Sequence, residues 1–172
     1  MTIVNSPCNP TGVPRNQSEL KAIAGVAAQH GLLVISDEIY EQFFFDGAPA
    51  SMAGLCEHLI VLNGFSKMAG MTGWRVGFAA GPADIIQQMN TLQQYTFVCA
   101  PSMAQKAAVT ALRIDTTEKI AAYKRKRDLI YEGLASKFNV VKPGGAFYIF
   151  PEAPGLSLIH ILPCPRSTLL RS

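Results

Sequence analysis

The chain is short of cysteine, histidine and charge, and each shortage excludes something. Its four cysteines, Cys8, Cys56, Cys99 and Cys164, are widely spaced and form no CxxC pair. A disulfide framework and a cysteine-held metal are therefore not expected, and a reducing, cytoplasmic setting is. His30, His58 and His160 have no partner at ligand spacing and read as structural or exposed residues. Charged residues make up only 16% of the 172 residues, and the net charge is +3. That balance gives no reason to expect nucleic acid or an anionic membrane as a partner. No apolar run reaches membrane-spanning length. The opening MTIVNSPCNP has no basic start and no long apolar stretch, so a signal peptide is not expected.

What is present is a core. Hydrophobic residues reach 49%, and short apolar runs alternate with helical patterns. Residues 2–5 read as the end of a strand. Residues 18–30 read as a helix, with Leu20, Ile23, Ala24 and Ala27 at helical spacing and Gly31 placed to end it. LLVIS (32–36), LIVL (59–62) and residues 76–80 read as strands, the last closed by Gly81-Pro82. Residues 83–96 and 102–114 read as helices. This βαβ-like alternation predicts an α/β fold, a mainly parallel sheet with flanking helices.

A second subdomain is expected to begin near Asp115. A long helix over 116–138 carries Ile120, Tyr123, Ile130 and Leu134 on one stripe, and Asp115 with Glu118 can cap its start. Its run Lys124-Arg125-Lys126-Arg127 admits a nucleic-acid patch. Asp128 and Glu132 balance it, so a solvated helix face is the preferred reading. Val140-Val141 and residues 146–150 read as two strands around Lys142-Pro143-Gly144-Gly145. The final stretch GLSLIHILPCPRSTLLRS (155–172) has neither periodicity nor turn logic. It resembles translated adapter or vector sequence and is expected to be non-native.

Three polar clusters follow predicted strand ends: Asn9 after residues 2–5, Asp37 and Tyr40 after LLVIS, and Lys67 after LIVLNG. In an open parallel sheet, that edge is where ligands bind. Each residue alone has a plain reading. Asn9-Pro10-Thr11-Gly12 is a turn, Asp37-Glu38 a solvated strand end, Lys67 a surface lysine and Arg75 an ion-pair partner. Together they suit a pyridine aldehyde. Lys67 can form a Schiff base with the aldehyde and afterwards move a proton at the substrate α-carbon. Asp37 can keep the pyridine nitrogen protonated. Asn9 and Tyr40 can donate to the ring's phenolic oxygen. Arg75, eight residues after Lys67, can clamp a phosphate, and Ser66 can add a hydroxyl to it. Met68, Met71 and Trp74 read as packing residues. The cofactor implied is pyridoxal 5'-phosphate.

NSPCNPTG (5–12), SDEIYE (36–41), NGFSKMAGMTGWRVG (63–77) and PGGAFYIFP (143–151) resemble, in order and spacing, a class I/II aminotransferase of pyridoxal-phosphate fold type I. The lysine segment is closest in flavour to bacterial-type aspartate or aromatic aminotransferases. The resemblance covers roughly residues 1–154. It implies cofactor contacts from Asn9, Asp37, Tyr40, Lys67 and Arg75, and a cis bond before Pro10. It also implies that residues 1–114 are part of the cofactor-binding large domain and 115–154 the start of a small C-terminal domain. The activity implied is exchange of an amino group between an amino acid and a 2-oxo acid, by a homodimer in the full-length protein. In relatives, a phosphate-binding helix start and a ring-stacking aromatic lie upstream, and the arginine for the substrate carboxylate lies downstream. A truncated and inactive fragment is therefore expected. Two rival readings share the fold: a carbon–sulfur lyase, and the aminotransferase-like domain of a transcription regulator.

Overall fold

Three parallel strands build the frame: β1 (Thr2–Asn5), β2 (Val34–Asp37) and β3 (Leu59–Gly64). They are seen in a computed structural model that describes residues 1–153. The tail expected over 155–172, with His160 and Cys164, lies outside the described residues. A fourth strand, β4 (Gly77–Ala80), runs antiparallel to β3, and the sheet order is β1-β2-β3-β4. The mainly parallel α/β sheet expected from the sequence is thus formed. Strand direction is not encoded in a short apolar run, so the reversal at β4 had no sequence sign. Gly77 permits it: a Cβ there would meet the Asn63 carbonyl oxygen at 2.8 Å.

Helix α1 (Gln17–Gln29) joins β1 to β2. Its start is fixed by a capping box: Asn16 accepts from the Glu19 N–H at 3.0 Å, and Glu19 accepts from the Asn16 N–H at 2.8 Å. Gly31, at φ +57°, ends it in the left-handed conformation, and the Leu32 N–H reaches back to the Ala27 carbonyl at 2.8 Å. The buried face is Leu20, Ala24 and Ala27, and it packs on Val4, Val34, Leu59 and Met52. Burial of such aliphatic side chains is worth about 1.5–3 kcal/mol each.

β3 runs directly into a one-turn helix, α2 (Phe65–Met68), then a 3-10 turn at Thr72–Trp74. Helices α3 (Ala83–Gln94), α4 (Ser102–Ala111) and α5 (Thr117–Ala135) follow β4. In α4, Ala104, Ala108 and Ala111 make a small-residue stripe. It packs on Phe65, Met71 and Val76, closing the core beneath the lysine turn.

Three expectations need correcting. Residues 140–141 and 146–150 form no strands. Only single bridges, Phe44 to Gly145 and Val140 to Pro151, are made. Ala146 sits at φ +54°, which turns the chain out of the extended conformation. The capping box at α5 is also absent: Asp115 accepts from the Thr117 N–H and hydroxyl, and Glu118 takes no part. Finally, the basic run is not a uniformly solvated face. Arg127 is buried, bonded to Asp46 and to the Pro143 carbonyl, with its guanidinium 5.1 Å from the Phe45 ring. Lys124 donates to the Phe45 carbonyl at 2.7 Å. These two residues tie α5 to the segment after β2.

Candidate active site

The register of the parallel strands assembles the site. Asn5 pairs with Asp37, and Asp37 with Leu62, so β1, β2 and β3 end side by side. Past β1, the Asn5 side chain accepts from the Asn9 N–H at 2.7 Å and donates to the Asp37 carbonyl at 3.2 Å. One amide thus links two site segments. Past β2, one Asp37 carboxylate oxygen accepts from the Ile39 N–H at 3.2 Å, which orients the carboxylate. Past β3, Lys67 lies on α2, with its Nζ 5.7 Å from the ring centres of both Tyr40 and Phe147.

Tyr40 stands at the centre. It is buried in a cluster with Phe43 and Ala146, and its hydroxyl lies 2.6 Å from that of Tyr148. Its ring meets Phe147 and Tyr148 edge-on, at 5.2 and 5.6 Å. Burial, then the Tyr148 hydroxyl and the nearby Asp37 charge, push the Tyr40 hydroxyl well above the usual tyrosine range. The Asn9 side-chain amide faces the same hydroxyl and pulls the other way.

Asn9, Asp37, Tyr40 and Lys67 are therefore brought together. Arg75 bonds elsewhere, and Ser66 joins them only as the chain neighbour of Lys67. Arg75 is exposed, in the left-handed conformation at φ 53°, and donates to the Thr72 carbonyl at 3.1 Å. It lines a cleft of about 700 Å³ with Phe78, Phe97 and Pro101. Ser66 is half-buried on α2, beside Lys67. The bonds before Pro7 and Pro10 are both cis.

Sequence reasoning missed three supporting residues. Tyr148 was only part of a predicted strand. Asn5 was only the end of one. Glu38 is buried and fully engaged: it accepts from Ser36 at 2.8 Å, Ser51 at 2.8 Å and the Met52 N–H at 3.0 Å. The pairing Ser36-x-Glu38 was legible as a possible bond, but its burial was not.

The donor set suits a pyridine aldehyde phosphate: an amine beside two aromatic rings, a carboxylate, and an amide and a phenol near one another. A family model for aminotransferase class I and II matches residues 1–161. The chain belongs to this family. Class I and II aminotransferases are pyridoxal phosphate enzymes. Among this chain's relatives is the aspartate aminotransferase of Pyrococcus abyssi, 45% identical over 160 residues, which are 87% of this chain and 41% of that protein. The aromatic-amino-acid aminotransferase 2 of Thermococcus litoralis is 42% identical over 160 residues, again 87% of this chain and 41% of the relative. A solved aromatic aminotransferase from Pyrococcus horikoshii superposes with a TM-score of 0.83 at 43% identity. That match covers 87% of this chain and 43% of the solved one. The chain thus spans about two fifths of the length of these relatives. Their names support neither the lyase nor the regulator reading. No described helix is long and apolar enough to cross a membrane.

Proposed function

We propose that the whole protein transfers an amino group between an amino acid and a 2-oxo acid, using pyridoxal phosphate held on Lys67. The observation that carries this reading is the convergence of Lys67, Asp37, Asn9 and Tyr40 at adjoining strand ends. The cofactor supplies an aldehyde carbon and an electron-accepting ring. Lys67 would hold the cofactor through its Nζ at the aldehyde carbon, with loss of water, and, once freed by substrate, would move the proton at the substrate α-carbon. The Asp37 carboxylate holds a proton on the ring nitrogen. Asn9 and Tyr40 donate to the phenolic oxygen. Arg75 binds the phosphate, whose charge suits its fork of donors, and Ser66 adds a hydroxyl there.

In this reading, residues 1–114 serve as part of the cofactor-binding domain, and 115–154 begin a small domain. The protein acts in the cytoplasm as a homodimer, the assembly usual in the family.

The test is covalent. The full-length protein, loaded with pyridoxal phosphate and reduced with borohydride, should carry the adduct on the Lys67 peptide. Lys67→Ala should abolish both the adduct and the visible-to-near-ultraviolet band. An adduct on another lysine, or a band that survives the substitution, overturns the assignment.

A further inference from the structure

The Tyr40 hydroxyl is crowded by groups that the roles above do not all use. Tyr148 is the closest of them, its hydroxyl 2.6 Å away. Its position is built from far along the chain. The Asn9-Pro10-Thr11-Gly12 turn presses against residues 143–145: the Gly145 N–H bonds the Gly12 carbonyl at 2.9 Å. A Cβ on Gly12 would collide with Pro143 at 2.5 Å. The Phe44–Gly145 bridge and the Ala146 N–H to Phe43 carbonyl bond, 2.8 Å, fix the other side. Ala146 is fully buried, so the chain turns at a defined point and carries Tyr148 to Tyr40.

A phenol has one proton and two acceptor positions. The Tyr148 hydroxyl, 2.6 Å from the Tyr40 oxygen, can take one of those acceptor positions. We propose that Tyr148 is a positioning residue: by donating to the Tyr40 oxygen, it leaves the single Tyr40 proton to be aimed at the cofactor's phenolic oxygen. A hydroxyl that accepts a bond also donates more strongly, because such chains polarise one another. The inference rests on the Lys67 reading above. The charged or titratable groups facing Tyr40 are Asp37 at the end of β2, Lys67 on α2 and Tyr148 itself.

Packing alone does not need this hydroxyl. Phenylalanine at 148 would keep the edge-on contact with Tyr40 and the stacking on Phe147, whose ring centre lies 4.9 Å away. Tyr148→Phe therefore isolates the hydroxyl.

The measurement is the pH midpoint of the lysine-bound cofactor's absorption change in the full-length protein. A donor on the phenolic oxygen stabilises its anionic form, so a weaker donor raises the midpoint. Tyr148→Phe should raise it by about half a unit or more, the effect of one ordinary hydrogen bond. Tyr40→Phe should raise it further, and adding Tyr148→Phe to that variant should change nothing more. An intact band with an unmoved midpoint overturns the inference and leaves the Lys67 reading standing. An additive double variant overturns it too. A wild-type protein that forms no band overturns the Lys67 reading itself, and this inference with it.

Discussion

Asn5 and Asp37 sit side by side at the ends of neighbouring parallel strands, and the Asn5 amide bonds the Asp37 carbonyl at 3.2 Å while holding the Asn9 N–H at 2.7 Å. The site therefore depends on a residue that touches no expected ligand. Asn5→Ala removes both bonds and should destabilise the protein by about 1–3 kcal/mol, measured by urea unfolding. It should also weaken pyridoxal phosphate binding, since Asn9 loses its tether. Unchanged stability and unchanged affinity would show that the tether is idle.

Arg75 offers a second test, because its backbone and its side chain make separate demands. The residue occupies the left-handed conformation at φ 53°, which lysine and arginine adopt at equal cost. Arg75→Lys should therefore leave stability within about 0.5 kcal/mol. It should raise the dissociation constant for pyridoxal phosphate about tenfold or more, because a point charge replaces a bidentate fork. Fluorescence titration of the cofactor-free protein reads this directly. Equal affinity would remove Arg75 from the phosphate site.

What the sequence revealed follows from what periodicity and turn chemistry encode. The stripe of Leu20, Ala24 and Ala27 and the stop at Gly31 placed α1 within a residue at each end. The strand ends located Asn9, Asp37 and Lys67 at one sheet edge, because parallel strands point their C-terminal ends the same way. Other features depend on distant pairings, which carry no local pattern. Tyr40 meets Tyr148 across 108 positions, and Arg127 meets Asp46 across 81. GAFYIF has the composition of a strand, but the turn at Ala146 and the lack of a partner row prevent one. Glu38 looked like a solvated strand-end acid, yet three donors draw it inside.

Glu38 should be costly to replace. Glu38→Ala would orphan two hydroxyls and the Met52 N–H at a buried position, and a loss of about 3–5 kcal/mol is expected. Glu38→Gln keeps the shape but turns an amide toward donors, so it should recover only part of that loss. Thermal unfolding of the two variants gives the order, and a Gln variant as stable as wild type would deny the need for an all-acceptor group.

The Arg127–Asp46 contact predicts an acid dependence. The Arg127 bond, then Lys124, holds the Asp46 carboxyl below the usual carboxylate range. A depressed folded pKa adds stability above the unfolded value of about 3.9, and that stability is lost as pH falls through the folded value. Asp46 is 54% exposed, so solvent screening keeps its share small, about 0–1 kcal/mol. Asp46→Asn should flatten the acid limb of the stability curve slightly. Arg127→Ala, which empties a buried position, should cost more at every pH.

Glu41 runs in the opposite direction. Burial, and then the charge of Glu38, raise its carboxyl pKa, while Asn63 opposes them. A raised folded pKa means that the folded state binds the proton more tightly. The contribution is fully present below the unfolded value, about 4.3, and is lost as pH rises through the folded value. Ionised Glu41 therefore carries a penalty at neutral pH that a neutral isostere avoids. Glu41→Gln should raise Tm at pH 7, and the gain should shrink toward zero as pH falls below about 4, where the Glu41 carboxyl is protonated in both states. Convergence of the two curves as pH falls is the signature to look for. A Gln variant that is less stable at pH 7 would mean that the carboxylate finds compensation in the folded protein beyond the Asn63 contact.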